Sequence, residues 1–114
     1  MHLHHANSDT AKGWFNGPWN GNLEIAIGYA NTGINEPHQH QVKTEIYLVA
    51  SGSCLVRVDQ SDIPLASGDM LVVEPGEAHT FLRSSPDYFH FVIQVPALSG
   101  DKRPADPALL GGSA

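Results

Sequence analysis

The residues best equipped for chemistry crowd into one stretch of a chain in which only 16% of residues are charged. In GINEPHQHQVKTEIYLVASG, residues 33–52, His38 and His40 are spaced i, i+2. On an extended strand both imidazoles leave the same face with Cα atoms roughly 6.5 Å apart, so two ring nitrogens can close onto one ion. Pro37 biases Glu36 toward extended backbone and excludes helix here. Glu45 follows five residues after His40, and on a continuous strand that odd offset would turn its carboxylate to the opposite face. A shared site therefore requires a bend or hairpin within residues 41–44. Imidazole and carboxylate suit iron, manganese, nickel, copper or zinc in a site with open positions. An isolated His-x-His more often caps or covers a core, so further ligands are needed. A second stretch, GDMLVVEPGEAHTF (residues 68–81), supplies another histidine: Gly68-Asp69 starts a strand, Pro75-Gly76 makes a tight turn, and His79 opens the next strand.

The elements that must position these groups read as strands. Leu23, Ile25, Ile27 and Tyr29 alternate with Glu24, Ala26 and Gly28, the period of a half-buried strand. Further short, β-branched or aromatic runs lie at 42–50, 53–58, 70–73, 79–82 and 88–95, bounded by turn residues. No window holds a helical period long enough for a βαβ crossover, which leaves a sandwich or a barrel. Residues 1–22 are rich in Gly, Asn and Trp without a steady period and read as an irregular N-terminal segment. Residues 23–96 carry the strand pattern of that sandwich or barrel, and residues 97–114 read as a tail, draped over the surface or disordered.

The chain has 114 residues, enough for one core and one domain. A net charge of −6 without a run of Lys or Arg argues against nucleic-acid or anionic-membrane partners. The longest apolar stretch, residues 46–50, is far too short to span a membrane, and the first residues lack the apolar segment of a signal peptide, so a cytoplasmic location is expected. Cys54 stands alone, which excludes an intramolecular disulfide and a thiolate zinc cluster.

The two stretches together, G-x4-HxH-x4-E-x6-G and GD-x5-PG-x2-H, resemble the two motifs of the cupin superfamily, as small single-domain cupins carry them. The resemblance covers residues 33–83, and the flanking strand patterns fit the rest of such a barrel. It implies an all-β fold, an antiparallel double-stranded β-helix or jelly-roll barrel. It also implies one divalent transition metal (Fe, Mn, Ni, Cu or Zn) held by His38, His40, Glu45 and His79. Glu74 replaces the usual first proline of the second motif and Arg83 a common asparagine, and the first spacing is one residue short. None of these departures touches a ligand.

If Glu45 and His79 face inward, alternation also turns Tyr47, Val49, Phe81 and Arg83 toward the interior. Arg83 would clamp a substrate carboxylate there, or else stand solvated past the rim. Along 88–95, Tyr88, His90, Val92 and Gln94 share the face that would wall the pocket, opposite Phe89, Phe91, Ile93 and Val95. Phe81, Arg83 and Tyr88 are thus candidate pocket residues, with Tyr47 and His90 candidate acid–base groups. Trp14, Phe15 and Trp19 would anchor the N-terminus, cap the barrel mouth or meet a second copy. His2, His4 and His5 would bind metal only adventitiously.

Family resemblance implies a metal-dependent enzyme acting on a small organic molecule, with dioxygenase-like oxidoreductase chemistry narrowly favoured over isomerase or lyase chemistry. The alternative is a non-catalytic cupin that binds a sugar or metabolite. A homodimer is expected, because apolar outer strand faces need cover.

Overall fold

The computed structural model describes residues 1–21, 23–97 and 100–105. These form ten strands: β1 (Lys12–Asn16), β2 (Ala26–Ala30), β3 (His38–His40), β4 (Thr44–Ser51), β5 (Ser53–Val58), β6 (Ser61–Ala66), β7 (Met70–Val73), β8 (His79–Ser84), β9 (Phe89–Val95) and β10 (Lys102–Pro104). Every pairing is antiparallel, in two five-stranded sheets of order β1-β2-β9-β4-β7 and β10-β3-β8-β5-β6. The fold is the expected all-β double-stranded β-helix.

After β3 the chain passes repeatedly from one sheet to the other, and turn residues set the crossings. Gly52 joins β4 to β5 and Gly68 joins β6 to β7, both with positive φ (71° and 93°), where a side chain would be strained. Because each crossing reverses the sheet, the inward faces of both layers close on one core. Tyr47, Val49, Val73 and Val92 of the first sheet pack there with Cys54, Val56, Val58, Leu65 and Phe81 of the second. Burial of such side chains supplies roughly 1.5–3 kcal/mol each before conformational entropy is counted.

Three strands lie where none was expected. Lys12–Asn16 is not irregular: it pairs with β2, with a register shift between Trp14 and Asn16 that interrupts its alternation. Ser61–Ala66 contains Pro64, which a central strand would reject, and is accommodated because β6 is a sheet edge. In the expected tail, Lys102–Pro104 pairs with His38–His40 and forms the edge of the second sheet. Residues 98, 99 and 106–114 of that tail lie outside the described residues. On β2 the inward positions are Ala26, Gly28 and Ala30, while Leu23 is exposed. Among the described residues no helix is long and apolar enough to cross a membrane.

Candidate metal centre

The site is assembled from both sheets. In the second sheet, His38 and His40 flank the outward Gln39 on β3, and His38 stands opposite His79, the first residue of β8. The Pro75-Gly76 turn that delivers His79 is tied to β3 by a hydrogen bond from the Gly76 amide to the His40 carbonyl (2.7 Å). The expected bend after His40 is present. Residues 41–43 carry the chain from the second sheet to the first, so Glu45, second residue of β4, faces the histidines from across the barrel.

The four functional groups meet. The Nε2 atoms of His40, His79 and His38 lie 2.9, 3.0 and 4.0 Å from Glu45 Oε1, and one ligand atom from each residue falls within 4.8 Å of every other. All four side chains are buried, His79 completely. His38 Nδ1 lies 2.8 Å from the Glu36 carbonyl oxygen and His79 Nδ1 lies 3.1 Å from that of Glu77. A carbonyl only accepts, so each Nδ1 carries the proton and donates it, which leaves Nε2 bare. A bare Nε2 facing a carboxylate oxygen at 3.0 Å sets two acceptors against each other, which is stable only with a proton or a cation between them. Three imidazole nitrogens and one carboxylate are a donor set for a transition-metal ion, and the residues fit the group that the sequence motifs imply.

The electrostatics favour the metal-ready protonation states. Burial, together with the neighbouring His79, pulls the His38 pKa down to about 4, so its ring is neutral near pH 7. Burial alone would push the Glu45 carboxyl up, but the imidazoles of His40 and His79 beside it and the hydrogen bond from Gln94 hold it well below the usual carboxylate range. Around this carboxylate runs a buried chain of donors. Lys43 Nζ donates to Gln94 Oε1 (3.0 Å), Gln94 Nε2 donates to Glu45 Oε2 (2.9 Å), and the Tyr47 hydroxyl donates to Glu45 Oε1 (3.2 Å).

A cavity of about 290 Å³ opens beside the four groups, with Glu45, Gln94, Tyr47 and His90 on its polar wall and Phe81, Val92, Ile34 and Ala30 on its apolar wall. The Tyr47 ring lies 5.0 Å from His90 and 6.3 Å from His79. Behind His90 the Tyr88 hydroxyl sits 2.6 Å from Nδ1. Burial lowers the His90 pKa to about 4 and raises those of Tyr47 and Tyr88, so all three side chains are neutral near pH 7.

Of the three expected pocket residues, Phe81 lines the cavity, Tyr88 touches it only through His90, and Arg83 does not reach it. Arg83 is exposed, contrary to the inward orientation expected from alternation. Leu55 pairs with Arg83 while the next residue, Val56, pairs with Phe81. Leu82 is therefore an extra residue, a β-bulge that resets the alternation and turns Arg83 outward. Trp14 lies at the cavity mouth with its ring over Gly28, where an added Cβ would come within 2.7 Å of Cε3. Trp19 meets it edge-on at 6.1 Å, and Phe15 packs on Tyr29. His2, His4 and His5 are exposed and stand outside the cluster.

Lys43 and Asp101 escaped the sequence reading as site residues, whereas alternation along β9 had already put Gln94 on the pocket wall with His90, where it lies. For Asp101, whose carboxylate accepts from the amides of Val42 (3.1 Å) and Lys43 (2.9 Å), no local signal exists.

Solved structures with this fold include a variant of Pac13 from Streptomyces with uridine, described as a nucleoside dehydratase, with a TM-score of 0.67 at 16% identity over 92% of each chain. KdgF from Halomonas sp. superposes with a TM-score of 0.64 at 17% identity, over 77% of this chain and 79% of that one. A Klebsiella pneumoniae protein with a double-stranded β-helix domain gives 0.65 at 17%, over 91% and 90%. No curated protein matches the sequence significantly. The Cupin domain family matches residues 28–93, a span that runs from the glycine under Trp14 to the middle of β9 and takes in every residue of the buried cluster, and the chain belongs to that family.

Proposed function

We propose that this cupin is a metal-dependent enzyme of the lyase or isomerase kind, acting by proton transfer on a small oxygen-bearing organic molecule. The observation that carries this reading is the placement of Tyr47 and His90 on the wall of the same cavity as Glu45, whose Oε1 lies 2.9 to 4.0 Å from the three imidazoles. A divalent cation held by His38, His40, Glu45 and His79 would polarise a substrate oxygen as a Lewis acid. The chain's own groups do the rest. His90, in the neutral tautomer that donates Nδ1–H to the Tyr88 oxygen, has a bare Nε2 that can take a proton from substrate, and Tyr47 can donate one to a leaving oxygen. Phe81, Val92 and Ile34 keep water from the reacting atoms, and Trp14 offers a flat face to a ring at the mouth.

Oxidative chemistry, narrowly favoured by the sequence, rests on the donor set alone and would not employ the Tyr47–His90 pair. The likeness to a nucleoside dehydratase, too distant to carry an activity, is compatible with elimination of water from a sugar-bearing substrate. The test uses protein loaded with redox-inert zinc under anaerobic conditions, offered β-hydroxycarbonyl compounds, uronates and nucleosides. Elimination gives a conjugated product with new ultraviolet absorbance, expected here and lost in His40→Ala. Turnover only with iron and oxygen would restore the dioxygenase reading. Tight binding without turnover by any metal form would make the protein a small-molecule binding module.

The reading includes a homodimer formed through the outer face of the first sheet. Ile27, Ile93, Ile46 and Val72 line up in one cross-strand row there, and Tyr29, Phe91, Leu48 and Met70 in the next. Phe15 covers the β2–β9 end, whereas Leu48, Met70 and Val72 are exposed. A contiguous apolar patch of this kind is unusual on a monomer.

A further inference from the structure

Two of the three clustered imidazoles are oriented by the same device. His38 and His79 each follow a glutamate by two residues, and in each case that glutamate's backbone carbonyl accepts from Nδ1, at 2.8 and 3.1 Å. His40 lacks it. Its Nδ1 is buried and has no hydrogen-bond partner among the described residues. What faces it is a carboxylate from the far end of the chain, Asp101 Oδ2, at 3.8 Å.

Asp101 is itself buried and fixed from the backbone side. It accepts from the amides of Val42 and Lys43, in the bend that carries the chain from His40 to Glu45, and the Gln41 amide donates to its main-chain carbonyl. Two backbone donors thus hold the Asp101 carboxylate in place as an acceptor beside the ring. The adjoining strand β10 pairs residue for residue with β3, Lys102 against His40 and Pro104 against His38. The carboxylate is thus held at one register relative to the imidazole it faces, and a shift of about 1 Å in ring or carboxylate brings the pair to hydrogen-bond length.

We propose that Asp101 is a positioning residue of the metal centre: it accepts the Nδ1 proton of His40 and fixes the tautomer that presents Nε2 to the cation, which makes the C-terminal strand part of the site. This assignment rests on the metal-binding reading of His38, His40, Glu45 and His79. Histidine ligands to metals are commonly oriented in this way by a carboxylate or carbonyl. The cluster then uses one acceptor per imidazole, two from local backbone and one from a side chain about sixty residues away in sequence.

The test compares wild type and Asp101→Asn with zinc as the probe. Asparagine keeps one acceptor oxygen for the bend amides but places an NH2 group, which cannot accept, among the positions available to His40. Competition with a chromophoric chelator is expected to show zinc affinity weakened roughly 10- to 100-fold. Proton NMR of the zinc-loaded wild type is expected to show an exchange-protected imidazole N–H resonance from each of the three ligands His38, His40 and His79, assigned apart from that of the buried His90, and D101N shifts or loses the one from His40 and leaves the other two in place. Equal zinc affinity in D101N overturns the proposal. So does weaker affinity with all three resonances unmoved, which would place the effect in the bend. If D101N fails to fold, the wild-type spectrum decides: a His40 Nδ1–H that exchanges freely with water, or a His40 bound through Nδ1, overturns it. Wild-type protein that takes up no zinc brings down the metal reading itself, and this assignment with it.

Discussion

The two faces of the sheet that carries Glu45 depart from the arrangement usual for a half-buried antiparallel sheet, in which apolar residues face in and polar residues face out: here Glu45, Gln94 and His90 stand among the apolar residues of the inner face. Inward, Ala26, Gln94, Glu45 and Val73 stand in one row, and Ala30, His90 and Val49 in another. Outward, the rows through Ile46 and Leu48 are wholly apolar. The polar inner face is tolerated because its groups are partnered: both Glu45 oxygens accept hydrogen bonds, Gln94 uses both ends of its amide, and His90 is held by Tyr88. Among the described residues the apolar outer face lacks an equivalent partner at its β4–β7 end. On the proposed reading the inner face serves a ligand and the outer face a second copy, so substitutions on the two faces are expected to separate cleanly.

The largest effect is expected on the inner side, where His79→Ala removes a ligand. Bound metal in purified protein, read by elemental analysis, falls from near one equivalent to near none, and turnover falls with it. Retention of stoichiometric metal would show that the four groups do not act as one site. Next come the acid–base groups: Tyr47→Phe and His90→Gln are each expected to lower kcat by roughly 100- to 10,000-fold while leaving metal content intact. A KM change without a kcat change would reduce them to wall residues.

The pH dependence is smaller and bears on the same inner face. His38 and His90 are held down to about 4 in the fold, against about 6.5 in an unfolded chain. Between those values the unfolded chain binds more protons, so metal-free protein keeps this stability above pH 6.5 and loses it as pH falls toward 4. The loss is up to about 3 kcal/mol for each ring, read as a shift in the urea midpoint. A flat profile across that window would mean the rings are not buried neutral. The smallest effect on the site comes from the outer face. Leu48→Lys combined with Met70→Lys is expected to convert dimer to monomer in sedimentation while leaving zinc affinity unchanged. Loss of zinc binding in that variant would break the separation of the two faces.

The four clustered positions were legible in sequence because the cupin-like motifs mark them and each rests on a local device: an i, i+2 pair on a strand, a bend within four residues, and a Pro-Gly turn ahead of His79. The inward face of β9 was legible because it alternates without interruption. Arg83 was misread because a bulge at Leu82 has no signature in that pattern. Strand β1 was hidden by the shift between Trp14 and Asn16, and β6 by a proline that only an edge can hold. The polarity of β2 was obscured by its large residues, since small ones had to face inward: Gly28 lies under the Trp14 ring, where a side chain would collide. Asp101 was invisible because its partners, Val42 and Lys43, lie 59 and 58 residues away, a distance only the finished fold spans.

The imidazoles belong to one layer of the barrel and the carboxylate to the other. A cation gripped from both sides works as a rivet through the sandwich, because the layers could not part without stripping its coordination shell. Loading would then slow amide exchange in β4 and β8 together, damping the breathing of the whole barrel rather than the motion of one loop. Thermal endurance of the protein becomes, on this view, a gauge of how well it is supplied with metal.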